Sequence, residues 1–129
     1  MAKGFQEHQD RLNALSLLGK DLARRAKSKC EVCEEAGVSL KTYEVPPAPK
    51  EPELGRCVFV CAKCEEALGN EKLSLVPNEW RALESTIWSE VPAVQVCVVR
   101  LLRRLAEKEA WAAETIDNAI LEPEAEEWA

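Results

Sequence analysis

Hydrophobic positions along the chain fall into three stretches with different periods. From Gln6 to Lys29, Leu15, Leu18 and Leu22 recur at i, i+3 and i+7 among polar residues, which predicts one face of an amphipathic helix. Its last turns carry Arg24, Arg25, Lys27 and Lys29, cations that complement the negative end of a helix dipole. They read as a solvated basic face, with phosphate binding as the alternative. The second stretch has strand-like composition in Val38–Val45 and in Cys57–Cys61. Between these runs Pro46, Pro47, Pro49 and Pro52 forbid both a helix and a central strand, and Gly55 follows. That spacing predicts a long, stiff hairpin connection with its backbone in solvent. Glu65 to Leu68 are good helix formers, and Gly69-Asn70 is a stop signal, so a short helix is expected directly after the second strand.

The third stretch is helical from Pro77. Asn78 can cap, and Trp80, Leu83, Glu84, Ile87 and Trp88 follow at helical spacing. Pro92 opens a longer helix to about Ala110, with Val94, Val98, Leu101 and Leu105 on one stripe and Arg100, Arg103, Arg104 and Glu107 to the sides and back. Val96 and Val99 fall on the other side of that wheel, which predicts burial on two faces. The first helix or the Trp80–Trp88 helix is expected to cover the second face; otherwise it is a docking or self-association patch. A last helical run spans about Trp111 to Leu121. The acidic end from Glu122 to Ala129 reads as frayed.

Cysteines change this picture from elements to chemistry. Cys30-Glu-Val-Cys33 and Cys61-Ala-Lys-Cys64 repeat the C-x₂-C spacing, in which two intervening residues let a tight knuckle aim both sulfurs at one centre. Two knuckles complete a tetrahedron for one structural zinc, with no position left for a catalytic water. Lys29 and Lys63 lie beside the cluster in sequence and can offset part of its negative charge, and knuckle backbone N–H groups are expected as further donors to the sulfurs. A redox dithiol is the competing reading, but it requires a βαβ context that the pattern lacks. Cys57, in the second strand, and Cys97, on the long helix, read as buried small apolar groups. His8, the only histidine, reads as a surface residue.

A length of 129 residues suits one domain with a metal staple. The expected architecture is α+β: an amphipathic helix over residues 1–29, a small zinc-bound treble-clef or ribbon β-hairpin unit over 30–70, and a helical segment with an acidic tail over 71–129. The formal net charge is −6, yet residues 1–29 hold seven basic and three acidic side chains, so the remainder is strongly acidic. Repulsion from phosphate backbones is expected everywhere except the amino-terminal arm. No run approaches the roughly 18 apolar residues of a membrane helix, and Met1-Ala2-Lys3-Gly4 lacks an apolar signal core. A reducing cytoplasmic setting, in which thiols serve as ligands, is the expectation.

The order Cys-x-x-Cys, strand, Tyr43-Glu44-Val45-Pro46, Pro-rich loop, Cys57-Val-Phe-Val-Cys61-x-x-Cys64, helix resembles the treble-clef core of HNH endonucleases with structural zinc, over about residues 30–69. That family's chemistry needs a general-base histidine in a His-His-x-x-Pro strand and a histidine or asparagine on the following helix. Here Tyr43, Glu44 and Glu65 stand in those places, so no imidazole is present to activate water. Over nearly the whole chain, Cys-Glu-Val-Cys, Tyr-Glu-Val-Pro-Pro and above all Trp88-Ser-Glu-Val-Pro-Ala-Val-Gln-Val96 look like the amino-terminal region of PhnA-type zinc-ribbon proteins, named after a bacterial alkylphosphonate-utilisation operon. The resemblance implies zinc binding. It does not define a reaction, and many such proteins continue into a Lys- and Gly-rich β domain that this chain does not include.

Three functional classes follow. The leading one is a cytoplasmic, zinc-binding, non-catalytic adaptor or regulatory protein whose helical segment meets a protein partner. The second is a nucleic-acid-binding zinc protein using the first helix and the clef, against the overall charge. The third is an enzyme of phosphonate metabolism, suggested by family naming alone, since no second set of His and Asp metal ligands is present.

Overall fold

The computed structural model describes residues 2–129, with side chains described from Gln6 onward; Met1 and the side chains of residues 2–5 lie outside that range. The amino-terminal helix is broken in two. Helix α1 spans Ala2–Leu17 and α2 spans Gly19–Ala26, with Leu18 between them and Gly19 opening the second. Of the three expected leucines only Leu22 is fully buried, while Leu12 and Leu17 are exposed. Helix α2 ends on left-handed Lys27, whose N–H reaches the Ala23 carbonyl, and Ser28 is left-handed as well. Two such residues turn the chain sharply into Cys30.

Strands β1 (Leu40–Glu44) and β2 (Cys57–Cys61) form a two-stranded antiparallel sheet, in register from Leu40 opposite Cys61 to Glu44 opposite Cys57. The proline run connects them as expected, closing with a 3₁₀ turn at Leu54–Arg56. Helix α3 (Ala62–Gly69) follows β2 without a loop, because Cys61 is both the last strand residue and the helix N-cap. A two-stranded ribbon alone is marginal in water. Here α2 packs on β2 and β1, and α3 packs on both strands.

The carboxyl-terminal half is helical but not as periodicity predicts. Residues Pro77–Trp80 form a 3₁₀ turn and α4 is only Leu83–Thr86, so the Trp80–Trp88 stretch is two short turns rather than one helix. Trp80, Leu83 and Ile87 are buried, whereas Trp88 points to solvent with 54% exposure. Helix α5 (Pro92–Ala106) is the centre of the fold: every residue from Ala93 to Val99 is buried, and so are Leu101, Leu102 and Leu105. The expected two-sided burial is present, and of the two expected covers the Trp80–Trp88 stretch contributes through α4 while the first helix does not. Helices α6 (Ala110–Asn118) and α7 (Pro123–Trp128) pack on α5 together with α4, while α2 lies on the hairpin instead.

The acidic end is therefore not frayed. It forms α7, with Ala125 buried against the core. Trp128 donates Nε1–H to the Pro46 carbonyl at 3.0 Å and stacks under the Arg56 guanidinium at 4.3 Å from the ring centre. An indole that covers proline and carries a cation on its face gains apolar and cation–π contact at once. Among the described residues no buried side-chain nitrogen or oxygen lacks a partner, and no helix is long and apolar enough to cross a membrane.

Candidate metal centre

Four sulfurs converge where the two knuckles meet. The Sγ atoms of Cys30, Cys33, Cys61 and Cys64 all lie within 4.8 Å of one another. Cys30 to Cys64 is 3.6 Å and Cys33 to Cys61 is 3.7 Å, far beyond the roughly 2.05 Å of a disulfide. Cys30, Cys61 and Cys64 are buried, with exposures of 1%, 4% and 0%, and Cys33 is half-buried. A cluster of this kind can hold one metal ion. No family model, curated protein or solved structure matches this chain.

The first knuckle is shaped by backbone. Cys30 N–H donates to the Glu35 carbonyl at 3.0 Å and Glu34 N–H to the Cys30 carbonyl at 2.9 Å, with Glu34 in the left-handed region at φ 65°. That geometry turns the Cys33 N–H toward the Cys30 sulfur, 3.5 Å away. The second knuckle is the β2–α3 junction, which places Cys64 in the first turn of α3. A first helical turn carries N–H groups without helical partners and the positive end of the dipole, a setting that favours thiolates.

The two residues inside the first C-x₂-C hold the knuckle in place. Glu31 donates its N–H to the Phe59 carbonyl at 3.0 Å and accepts the Phe59 N–H at 2.8 Å on its carboxylate. The same carboxylate takes a two-pronged contact from Arg25 at 2.8 and 2.9 Å, and Arg25 also donates to the Cys57 carbonyl at 2.8 Å. Val32 is fully buried, and its carbonyl accepts the Thr86 hydroxyl at 2.8 Å. Arg25 is thus an anchor joining α2 to the knuckle, not part of the solvated basic face that its position suggests.

Electrostatics of the sulfur cluster favour a cation. Hydrogen bonds from the Cys33 thiol, then from the Cys64 thiol, push Cys30 far below the usual thiol range, aided by the N–H groups of Cys33 and Cys61. The remaining protons are held correspondingly tighter. The bond to Cys30 raises Cys33 to about 12, and bonds to Cys30 and then Cys33 raise Cys64 strongly. One thiolate is stable alone; four can be ionised together only around a cation that replaces the protons. Lys63 is drawn elsewhere, donating to the Glu79 carbonyl at 3.2 Å and lying 4.7 Å from the centre of the Trp80 ring.

Cys57 and Cys97 are buried outside the cluster, as their apolar surroundings predict. Burial pushes Cys57 up to about 11 and Cys97 up to about 12, so both are neutral thiols near neutral pH. His8 is exposed on α1, in keeping with its sequence reading. Glu44 is paired with Arg11, which also donates to the Pro49 and Lys50 carbonyls at 2.9 and 3.0 Å. This pairing ties α1 to the proline loop. Only the cysteines announced themselves by spacing; Arg25, Glu31 and Thr86 carry no local signal.

Proposed function

We propose that the chain is a zinc-binding, non-catalytic protein of the PhnA type, acting as an adaptor or regulatory module whose metal is structural. Sulfur geometry carries the reading. Four thiolates at about 2.3 Å from one tetrahedral centre stand about 3.8 Å apart, close to the 3.6 and 3.7 Å separations of the two cysteine pairs. Iron shares this geometry, and zinc is preferred because a closed thiolate shell that holds a small domain together needs no redox chemistry. Knuckle, hairpin and helix occur in treble-clef order, with two ligands from the knuckle and two from the start of the helix, which supports the resemblance to a degenerate HNH core.

Three observations favour binding over catalysis. Three of the four cysteines are buried, and four protein ligands to one ion leave no open coordination position. Glu44 is engaged by Arg11. The single histidine lies on α1, separated by 22 residues from the first cysteine. A protein partner would meet the helical segment at Trp88, whose exposed ring borders the cavity beside Cys30, Lys29 and Val91.

Native mass spectrometry of protein purified without added metal tests the metal reading. One zinc per chain is expected, and Cys30→Ser or Cys64→Ser should lose both the ion and cooperative melting. Full occupancy with unchanged melting in both variants, or stoichiometric iron in the purified protein, sinks the reading.

A further inference from the structure

A second site lies at the opposite end of α3 from the sulfurs, where α5 presents Arg100, Arg103 and Arg104 at i, i+3 and i+4 on one cavity wall. The cavity has a volume of about 620 Å³, within the range of small-molecule sites. Arginine pairing elsewhere makes this group distinct. Arg11, Arg24, Arg25 and Arg81 each have a carboxylate partner, and Arg56 lies on Trp128. Among the described residues neither Arg100 nor Arg104 has an ion-pair partner and Arg103 meets no side-chain carboxylate, although acidic groups outnumber basic ones by 23 to 17 in the chain. Glu71 is the one carboxylate on the cavity lining, so the wall carries a balance of +2.

Their donors are not used up. Arg104 is committed, holding the Ala67, Asn70 and Leu73 carbonyls at 2.6, 3.2 and 2.6 Å. Arg100 makes one bond, to the Trp128 carbonyl at 3.3 Å, and Arg103 one, to the main-chain oxygen of Ala129 at 2.8 Å. Each keeps most of its guanidinium fork for another acceptor. Apart from Glu71 the rest of the lining is largely apolar, with Val45, Pro46, Pro47 and Leu68 from the hairpin and α3 and Leu101 from α5. Tyr43 closes one side with its hydroxyl turned to the Leu68 carbonyl at 3.3 Å, and the buried Cys97 thiol also borders the space.

We infer that this cavity binds a small organic anion, an oxyanion head on a compact apolar body. The remaining donors of the Arg100 and Arg103 guanidinium groups take the head in the manner suited to phosphate or carboxylate, and the proline–leucine lining takes the body. The inference goes beyond the metal reading and does not depend on which ion the cysteines hold.

Phenyl phosphate, benzoate and inorganic phosphate titrated into the full chain at about 0.15 M ionic strength, followed by amide NMR, test it. Saturable shifts confined to Tyr43, Leu68 and residues 97–104 are expected, with phenyl phosphate or benzoate binding more tightly than inorganic phosphate. Loss of one charged hydrogen-bond donor should weaken binding on the order of tenfold in Arg100→Gln and in Arg103→Gln. The exposed Arg103 supplies a variant that keeps the fold, checked by an unchanged amide spectrum elsewhere. Arg24→Gln should bind as the parent does. The inference is overturned by shifts that do not saturate, by equal affinity in folded Arg103→Gln, by equal loss in Arg24→Gln, or by inorganic phosphate binding as well as both aryl ligands. A single-stranded oligonucleotide that binds the same residues more tightly than phenyl phosphate, with steep salt dependence, would also overturn it in favour of a nucleic-acid groove.

Discussion

The hydroxyl of Thr86 donates to the carbonyl of Val32 at 2.8 Å, joining α4 to the middle of the first cysteine knuckle across 54 residues of chain. Both residues are buried, so the carbonyl has no water to fall back on. Through this bond the helical half and the sulfur cluster support one geometry. Thr86→Val keeps the shape and removes the donor, and is expected to cost about 1–3 kcal/mol, the penalty of a stranded buried acceptor. Melting should fall, and metal bound to the cysteine cluster should be lost to a chelator faster than from the parent. Unchanged melting and unchanged release would show that the bond couples nothing.

Val96 is fully buried between α5 and the helices around it. A carboxylate introduced there has neither water nor a cation for a partner, so Val96→Glu should abolish cooperative folding. A folded Val96→Glu monomer by circular dichroism and sedimentation would show that the helical half is packed otherwise.

Trp128 joins α7 to the hairpin loop through Pro46 and Arg56. Trp128→Ala should cost about 2–4 kcal/mol, somewhat less than a fully buried aromatic because the ring is only half-buried. Hydrogen exchange should show the amides of α7 losing protection before those of α5. Equal protection in the variant and the parent would return the acidic end to a loosely attached tail.

Glu34 holds a left-handed conformation at φ 65° with an exposed side chain. Glycine adopts that region without the Cβ penalty of about 1–2 kcal/mol, at an entropic cost of about 0.5–1 kcal/mol. Glu34→Gly is therefore expected to stabilise the protein by up to about 1 kcal/mol, a rise of a few degrees in melting temperature. A clear drop in melting would mean that the Glu34 side chain contributes an interaction absent from the described contacts.

The parts legible in the sequence are those set by local chemistry. Two C-x₂-C pairs define which sulfurs can reach one centre, because a two-residue spacing closes a knuckle whatever surrounds it, and the four sulfurs do converge. Prolines 46 to 52 exclude regular structure by steric means alone, and the strands appear on either side of them. The valines of α5 declare burial on two faces because their period leaves no polar side.

What covers those valines was decided by the tertiary structure. Leucines at helical spacing in residues 1–29 predicted a core face, but a short helix gains little from propensity and takes its place from packing; α2 found the hairpin, and α6 and α7 joined α4 on α5. Likewise the acidic run after Glu122 carries no periodic apolar signal. It is ordered by contacts distant in sequence, Trp128 to Pro46 and Gln95 to the Glu122 N–H at 3.0 Å. The roles of Arg25, Thr86 and Arg104 belong to the same class. Each satisfies backbone carbonyls brought near it only by the folded chain, and the demand to pair buried polar groups is a property of the three-dimensional arrangement.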